Sequence, residues 1–231
     1  MQLAWVEAWF ESVSQIRLAS PNFSSHRLPH VWHMRNVPGW PELDAYYALG
    51  DSDPKDVIAE VRSTDPDRSL LVTIFSKSEE AVFELYRDHG LVHSGNFPQP
   101  FMWREIINLS FEGQAKMRNE AFEHEVRLVS GVVEYTTNYA GRIVSSAKAS
   151  LNDNGVSYIW GMHTDAEFRG LGLASYGLDG LLRASRLHGM HTAVLCASPM
   201  GVPFYLANGF ASAADMIALC PEDRTAWLKR S

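Results

Sequence analysis

Cysteine is scarce in this chain: there are two, Cys196 and Cys220, among 231 residues, and no CxxC spacing. That excludes a disulfide scaffold and a zinc ribbon and fits a reducing compartment, so a cytoplasmic protein is expected. Positive charge is also in short supply. Lys and Arg number 20 against 27 Asp and Glu, a formal net charge of -7, and no basic run of five or more residues occurs. Nucleic acid is therefore not an expected partner. No apolar run of about 18 residues exists, so no membrane span is expected. The opening stretch MQLAWVEAWFESVSQ lacks a basic start and carries Glu7 and Glu11, which reads as an amphipathic helix and not a signal peptide. The pairs His30/His33 and His188/His191 have no carboxylate company, so no metal site is expected. The N-x-S matches at Asn22 and Asn108 are chance occurrences in a cytoplasmic protein.

A 46% hydrophobic content suits one large domain or two small ones. Residues 3–17 read as a helix, 30–36 as a strand, and VPGWPE and GDSDPKD as loops. SLLVTIF (69–75) is a buried strand. The following SEEAVFELYRDHG is a helix that Ser78 caps and Gly90 stops. PFMWREI (100–106) is another strand. In the second half EGQAKMRNEAFEHEV (112–126) reads as a helix. GRIVSSAKASL and GVSYIWGMHT form a hairpin across NDNG. A helix runs from about 171 to 188 up to Gly189, TAVLCA is a strand, VPFYLANGF a short helix, and ADMIALC the closing strand. Strands alternating with helices, plus a hairpin, predict an α/β or α+β fold with a mixed sheet. Tyr86 and Gly90 stand at the same separation from Tyr205 and Gly209, which hints at a duplicated unit.

EFRGLGLAS (167–175) gives up side chains just where a helix starts. It is not a dinucleotide fingerprint, because Ser175 holds the third glycine position and no acid lies near 192. It is not a nucleotide-triphosphatase loop either, because the Gly-Lys-Ser/Thr ending is absent. Two readings remain: a tight turn with glycines for packing, or an anion site made of free helix-start amides, with Arg169 as a charged donor at its mouth.

Here the sequence resembles the GCN5-related N-acetyltransferase (GNAT) family. The family's Gln/Arg-x-x-Gly-x-Gly/Ala signature is matched by Arg169, Gly172 and Ala174, and its later Tyr-x-x-x-Gly-Phe by Tyr205 to Phe210. The hairpin before the loop matches as well, and the resemblance covers about 105–220. It implies a mixed, mostly antiparallel central sheet flanked by helices, with acetyl-CoA held in a V between two parallel strands. Backbone of Met162, His163 and Thr164 would pair with the pantetheine arm. Amides of Gly170, Leu171, Gly172, Leu173, Ala174 and Ser175 would cradle the pyrophosphate. Ser198 would stand near the cofactor arm, and Tyr205 would protonate the departing thiolate. Tyr158 and Trp160 occupy positions where the family often places acceptor-site groups.

A base for the acceptor amine is needed. Glu134 qualifies if its strand lies beside the site. Simple strand alternation puts Tyr158, Trp160 and Met162 on one face and turns His163 to the other, as a solvated or core histidine. Cys196 reads as an inert core thiol, and Arg183 and Arg186 as water-facing. The first half lacks the loop, so residues 1–104 are expected to be a degenerate or scaffold unit and 105–231 the cofactor-binding unit. The early tryptophans read as core, or as walls of an acceptor pocket. The expected activity is acetyl transfer to a small primary amine by a monomer or homodimer. The alternatives are transfer to a peptide amine and a non-catalytic acyl-CoA sensor.

Overall fold

Trp5, Val6, Trp9, Phe10 and Val13 recur at three- and four-residue intervals along helix α1 (Leu3–Arg17), and all five are buried. The computed structural model describes residues 3–17, 22–37, 40–63, 69–94, 99–110 and 121–222. It lays this helix across the middle of a twelve-stranded sheet. The Trp9 ring meets Tyr47 and Phe75 edge-on at 4.8 and 5.3 Å, and Trp5 stacks on Trp103 at 4.5 Å. Val156 and Val194 close the same core from the second half. Ser12, also on α1, accepts hydrogen bonds from Ser150 Oγ at 2.7 Å and from Asn152 Nδ2 at 2.9 Å. Trp5, Trp9, Trp32 and Trp103 thus pack in or against the core, as the first of the two tryptophan readings had it. The Trp40 side chain lies outside the described residues.

One helix binding both halves predicts one cooperative unit. Trp9→Ala should cost about 3–5 kcal/mol, the usual penalty for emptying a buried aromatic site. Denaturant unfolding followed by circular dichroism and by tryptophan fluorescence should give one coincident transition, shifted to lower midpoint.

The first half runs β1 (Ser24–Arg27), β2 (Trp32–Val37), β3 (Trp40–Leu49), α2 (Pro54–Arg62), β4 (Ser69–Ser76), α3 (Glu79–Arg87), β5 (Leu91–His93) and β6 (Gln99–Glu105). The second runs β7 (Phe122–Val129), β8 (Val132–Tyr139), β9 (Arg142–Leu151), β10 (Val156–Thr164), a 3-10 turn (Ala166–Phe168), α4 (Leu173–Leu187), β11 (Thr192–Cys196), α5 (Val202–Ala207) and β12 (Ala211–Pro221). The sheet order is β1-β2-β3-β4-β12-β6-β11-β10-β9-β8-β7, with β5 also on β12. β3 and β4 are parallel, as are β10 and β11, and every other pairing is antiparallel. In both halves a parallel strand pair is joined by a helix and followed by a second helix carrying a tyrosine, Tyr86 on α3 and Tyr205 on α5. The closing strands are exchanged: β6 crosses to pair with β11, and β12 returns to pair with β4. Packed apolar clusters place α2 and α3 over one half of the sheet and α4 and α5 over the other.

Three sequence expectations change. The loop expected over VPGWPE gives way at Trp40 to β3. The stretch GDSDPKD is not all loop, because Asp53 caps α2 through a 2.8 Å bond from Lys55 N, with Pro54 at the first helical position. The helix expected over 112–126 is a strand from Phe122 onward, and 112–120 lie outside the described residues. Here EHEV alternates as well as it spirals, and pairing with β8 along its whole length decides for the strand.

Two histidines, His33 buried and His124 partly buried, link stability to acid. His124 Nδ1 lies 3.0 Å from both Tyr135 Oη and Thr137 Oγ1, and the Tyr176 ring of α4 covers it at 4.3 Å. Burial lowers its pKa. Burial also lowers that of His33, outweighing the opposing pull of Asp44. The unfolded chain therefore binds protons that the folded one refuses. This contribution is complete above the unfolded value near 6.5 and is lost as pH falls from there through the depressed folded values. The denaturation midpoint should be lower at about pH 5.5 than at about pH 7.5, and His124→Asn should flatten that difference.

Candidate functional site

β10 and β11 pair from Val156/Thr192 to Ile159/Leu195 and then part. β10 continues to Thr164 with β9 as its one partner, while β11 ends at Cys196. Where they diverge, a cleft of about 700 Å³ opens. Just there β10 is irregular against β9: Trp160 stands opposite Lys148, yet His163 stands opposite Ser146, so β10 carries one extra residue. Gly161, at φ +62°, lies in this bulge.

The extra residue reverses the side-chain parity expected from simple alternation. Lys148 and Ser146 are two apart on β9 and share a face, so Trp160 and His163 share it too. Tyr158 is on the same face, its ring stacked on Trp160 at 5.7 Å. Met162 turns the other way, against the apolar cluster to which Leu178, Leu181 and Leu182 of α4 belong. The expectation that His163 points away from Tyr158 and Trp160 is therefore corrected. A bulge is a property of two paired strands, and one strand's sequence does not display it.

At the end of the cleft Gly170 and Gly172 have φ of +79° and +82°, backbone that a side chain resists. A Cβ at either position would meet nothing within 4 Å. Packing is thus not why these residues are glycine, and the loop's outer side is open. Gly172 caps α4 with no side-chain hydrogen bond, and Tyr176 N is the first helical amide bonded back to it, at 3.0 Å. The amides of Leu173, Ala174 and Ser175 belong to the first turn, where no intrahelical acceptor exists. Leu173 is buried and pins the turn, while Leu171 is half exposed. Arg169 Nε donates to the Thr164 carbonyl at 3.1 Å, which ties the loop to the end of β10. Arg169 and Ala174 line the cleft, with Met162, His163 and Thr164.

Opposite stands α5. Tyr205 is 8% exposed, packs edge-on against Phe204 and Phe210, and lines the cleft. Burial raises its pKa, which keeps the phenol protonated. Ser198 lines the cleft at the start of α5, where its Oγ accepts from Gly201 N at 3.2 Å. Tyr158, Trp160 and Cys196 form the remaining wall. The Cys196 thiol, hydrogen-bonded by Trp9 and Tyr158, is pushed by burial up to about 12, so it is no nucleophile at neutral pH.

Glu134 is not brought into the cleft. It lies on β8, with β9 between it and β10, and is ion-paired to Lys148. Gln99, Met200, Gly201 and Phe204 line the cleft without having been singled out. Gln99 arrives from the first half on the exchanged strand β6, and no local pattern signals that. Among the described residues no three His, Cys, Asp or Glu gather as a metal site, and no helix is long and apolar enough to cross a membrane.

At the corresponding place in the first half the parallel strands do not splay, and the recess beyond them is smaller, about 210 Å³. β3 and β4 stay paired from Leu43/Ser69 to Leu49/Phe75, and Gly50 N bonds on to Phe75 O at 2.9 Å. The start of α2 is capped by Asp53 and flanked by Asp51 and Asp56, charges that repel an anion from its amides.

The sequence model of the acetyltransferase (GNAT) family matches residues 82–210. The chain belongs to the GNAT family. Solved structures agree on the fold. A GCN5-related N-acetyltransferase from Kribbella flavida is 15% identical, with 96% of each chain covered and a TM-score of 0.67. A tandem GNAT protein from the clavulanic acid biosynthesis pathway is 11% identical over 91% of this chain and 86% of its own, at TM-score 0.62. The C-terminal domain of a putative lysylphosphatidylglycerol synthetase from Agrobacterium fabrum is 10% identical over 97% of this chain and 93% of its own, at TM-score 0.55. No protein of curated function matches the chain. In this GNAT chain the splayed parallel pair, the glycine loop and the α5 tyrosine stand around one cleft.

Proposed function

We propose that this GNAT protein transfers the acetyl group of acetyl-CoA to a primary amine of a small molecule in the second-half cleft. The observation that carries this reading is the placement of Tyr205 across the β10/β11 opening from a helix start whose amides are bare and whose glycines leave the approach open. The first half, with its strands zipped and its helix start acidic, would serve as scaffold; it supplies Gln99 to the cleft.

The residues divide the work. Amides of Gly170 to Ser175, with Arg169, would hold the pyrophosphate by donor geometry and helix dipole. The β10 edge beyond Ile159, free of β11, offers the backbone of Met162 to Thr164 to the pantetheine amides. Acetyl-CoA supplies a thioester whose carbonyl carbon the amine attacks; the new C–N bond forms as the C–S bond breaks. Tyr205 Oη–H would give its proton to the departing sulfur, Ser198 would flank the cofactor arm, and Tyr158 and Trp160 would receive the acceptor. Incubating the protein with acetyl-CoA and a panel of amines, while following free thiol and acetylated product, tests the reading. Acetylation of at least one small primary amine is the expected result. Acetyl-CoA binding with no transfer to any amine would overturn it.

A further inference from the structure

We infer that His163 is the base that takes the acceptor amine's proton, and that Asp165 positions it. This rests on the acetyl-transfer reading and adds the group that the reading left unnamed.

Two observations converge. The bulge in β10 brings His163 to the face that carries Tyr158 and Trp160, and all three line the cleft. Among the described residues lining the cleft there is no carboxylate, and His163 is the one imidazole. The other ionisable groups there are ill suited to the task. Tyr205 is held protonated, Cys196 is a partly buried thiol whose pKa is raised, Tyr158 is a phenol, and Arg169 has no lone pair to offer.

The histidine is oriented, not loose. Its Nε2 lies 3.0 Å from Asp165 Oδ1. Asp165 is itself fixed: its amide donates to the Val144 carbonyl at 2.9 Å, and Arg142 reaches its Oδ2 at 3.3 Å. Arg142 also pairs with Glu167. An ionised carboxylate only accepts hydrogen bonds, so the Asp165 contact puts the imidazole proton on Nε2 and leaves the Nδ1 lone pair free. As the amine nitrogen bonds to the acetyl carbon, its proton moves to Nδ1, and the imidazolium is balanced by Asp165. The side chain is 61% exposed, which gives the proton a route to water. The other charges near this face are Arg169, bonded through Nε to the Thr164 carbonyl, and the Lys148–Glu134 pair further along the sheet.

The test uses the full chain, an amine found to be acetylated, and kcat/KM measured against pH for the wild type, His163→Gln and Asp165→Asn. The wild type should show an ascending limb. In His163→Gln that limb should move to higher pH, and kcat/KM should fall by about a hundredfold or more at neutral pH. It should recover as pH rises and the free amine deprotonates unaided, a rescue that a merely structural role does not produce. Asp165→Asn should lower kcat with KM little changed. Calorimetry should find acetyl-CoA affinity unaltered in both variants. A wild-type pH profile in His163→Gln would overturn the inference and leave acetyl transfer standing, as would loss of acetyl-CoA affinity in that variant. Absence of any acetylated amine from the wild type, with acetyl-CoA bound, would overturn the transfer reading and the base together.

Discussion

Gly172→Glu should abolish measurable acetyl-CoA binding, weakening it by at least about a hundredfold. Two effects add. At φ +82° any side chain is strained, by about 1–2 kcal/mol on the usual left-handed penalty. A substituted loop that relaxes from this strain when free must regain it on binding, which alone is roughly a tenfold effect. The larger part is charge: a carboxylate at the helix start sits where the pyrophosphate would lie, and juxtaposed like charges cost several kcal/mol. Gly172→Ala separates the two, because it keeps the strain and omits the charge, and should lose only about tenfold. The position points to open space, so neither variant disturbs the core. Calorimetry with acetyl-CoA, alongside thermal unfolding of each protein, reads the result. Full affinity in Gly172→Glu would remove this loop from the cofactor site.

Tyr205→Phe should lower kcat by about a hundredfold or more, in the range usual for a lost general acid. Affinity for acetyl-CoA should change little. The hydroxyl sits in a buried ring site that raises its pKa, so the phenol form persists across neutral and mildly alkaline pH. A thiolate leaving in such surroundings meets little water, and an O–H held nearby supplies the proton instead. Phe fills the same space against Phe204 and Phe210, so the fold should be unaffected. Single-turnover kinetics separate chemistry from release, and an unchanged chemical step would retire Tyr205 as the acid. Together with His163→Gln, this variant divides the two proton transfers: one loses the donor to sulfur, the other the acceptor from nitrogen.

The parts of this site that the sequence disclosed are local. The glycines, the arginine before them, the NDNG turn and the helix ending at Gly209 announce themselves within a few residues, because turn and cap chemistry is short-range. The parts it concealed depend on partners. The bulge at Gly161 and Met162 exists only relative to β9, so simple alternation turns His163 to the wrong face. Glu134 was a base only if its strand adjoined β10, and β9 lies between them. β7 resembled a helix because its charged residues suit either period. Gln99 reaches the cleft only because β6 changes halves.

That change of halves also bears on the birth of the molecule. β4 has its outer edge filled by β12, which comes almost at the end of the chain, while α1 buries its tryptophans partly against β10 and β11. During synthesis the first half must therefore wait, edge and helix uncovered, until the second half has emerged. At about 5–20 residues per second that interval is on the order of ten seconds. An open strand edge beside unburied aromatics is a site for wrong pairing with a neighbouring nascent chain. The interlock that makes the finished protein one body makes its assembly depend on keeping that edge unoccupied until β12 arrives.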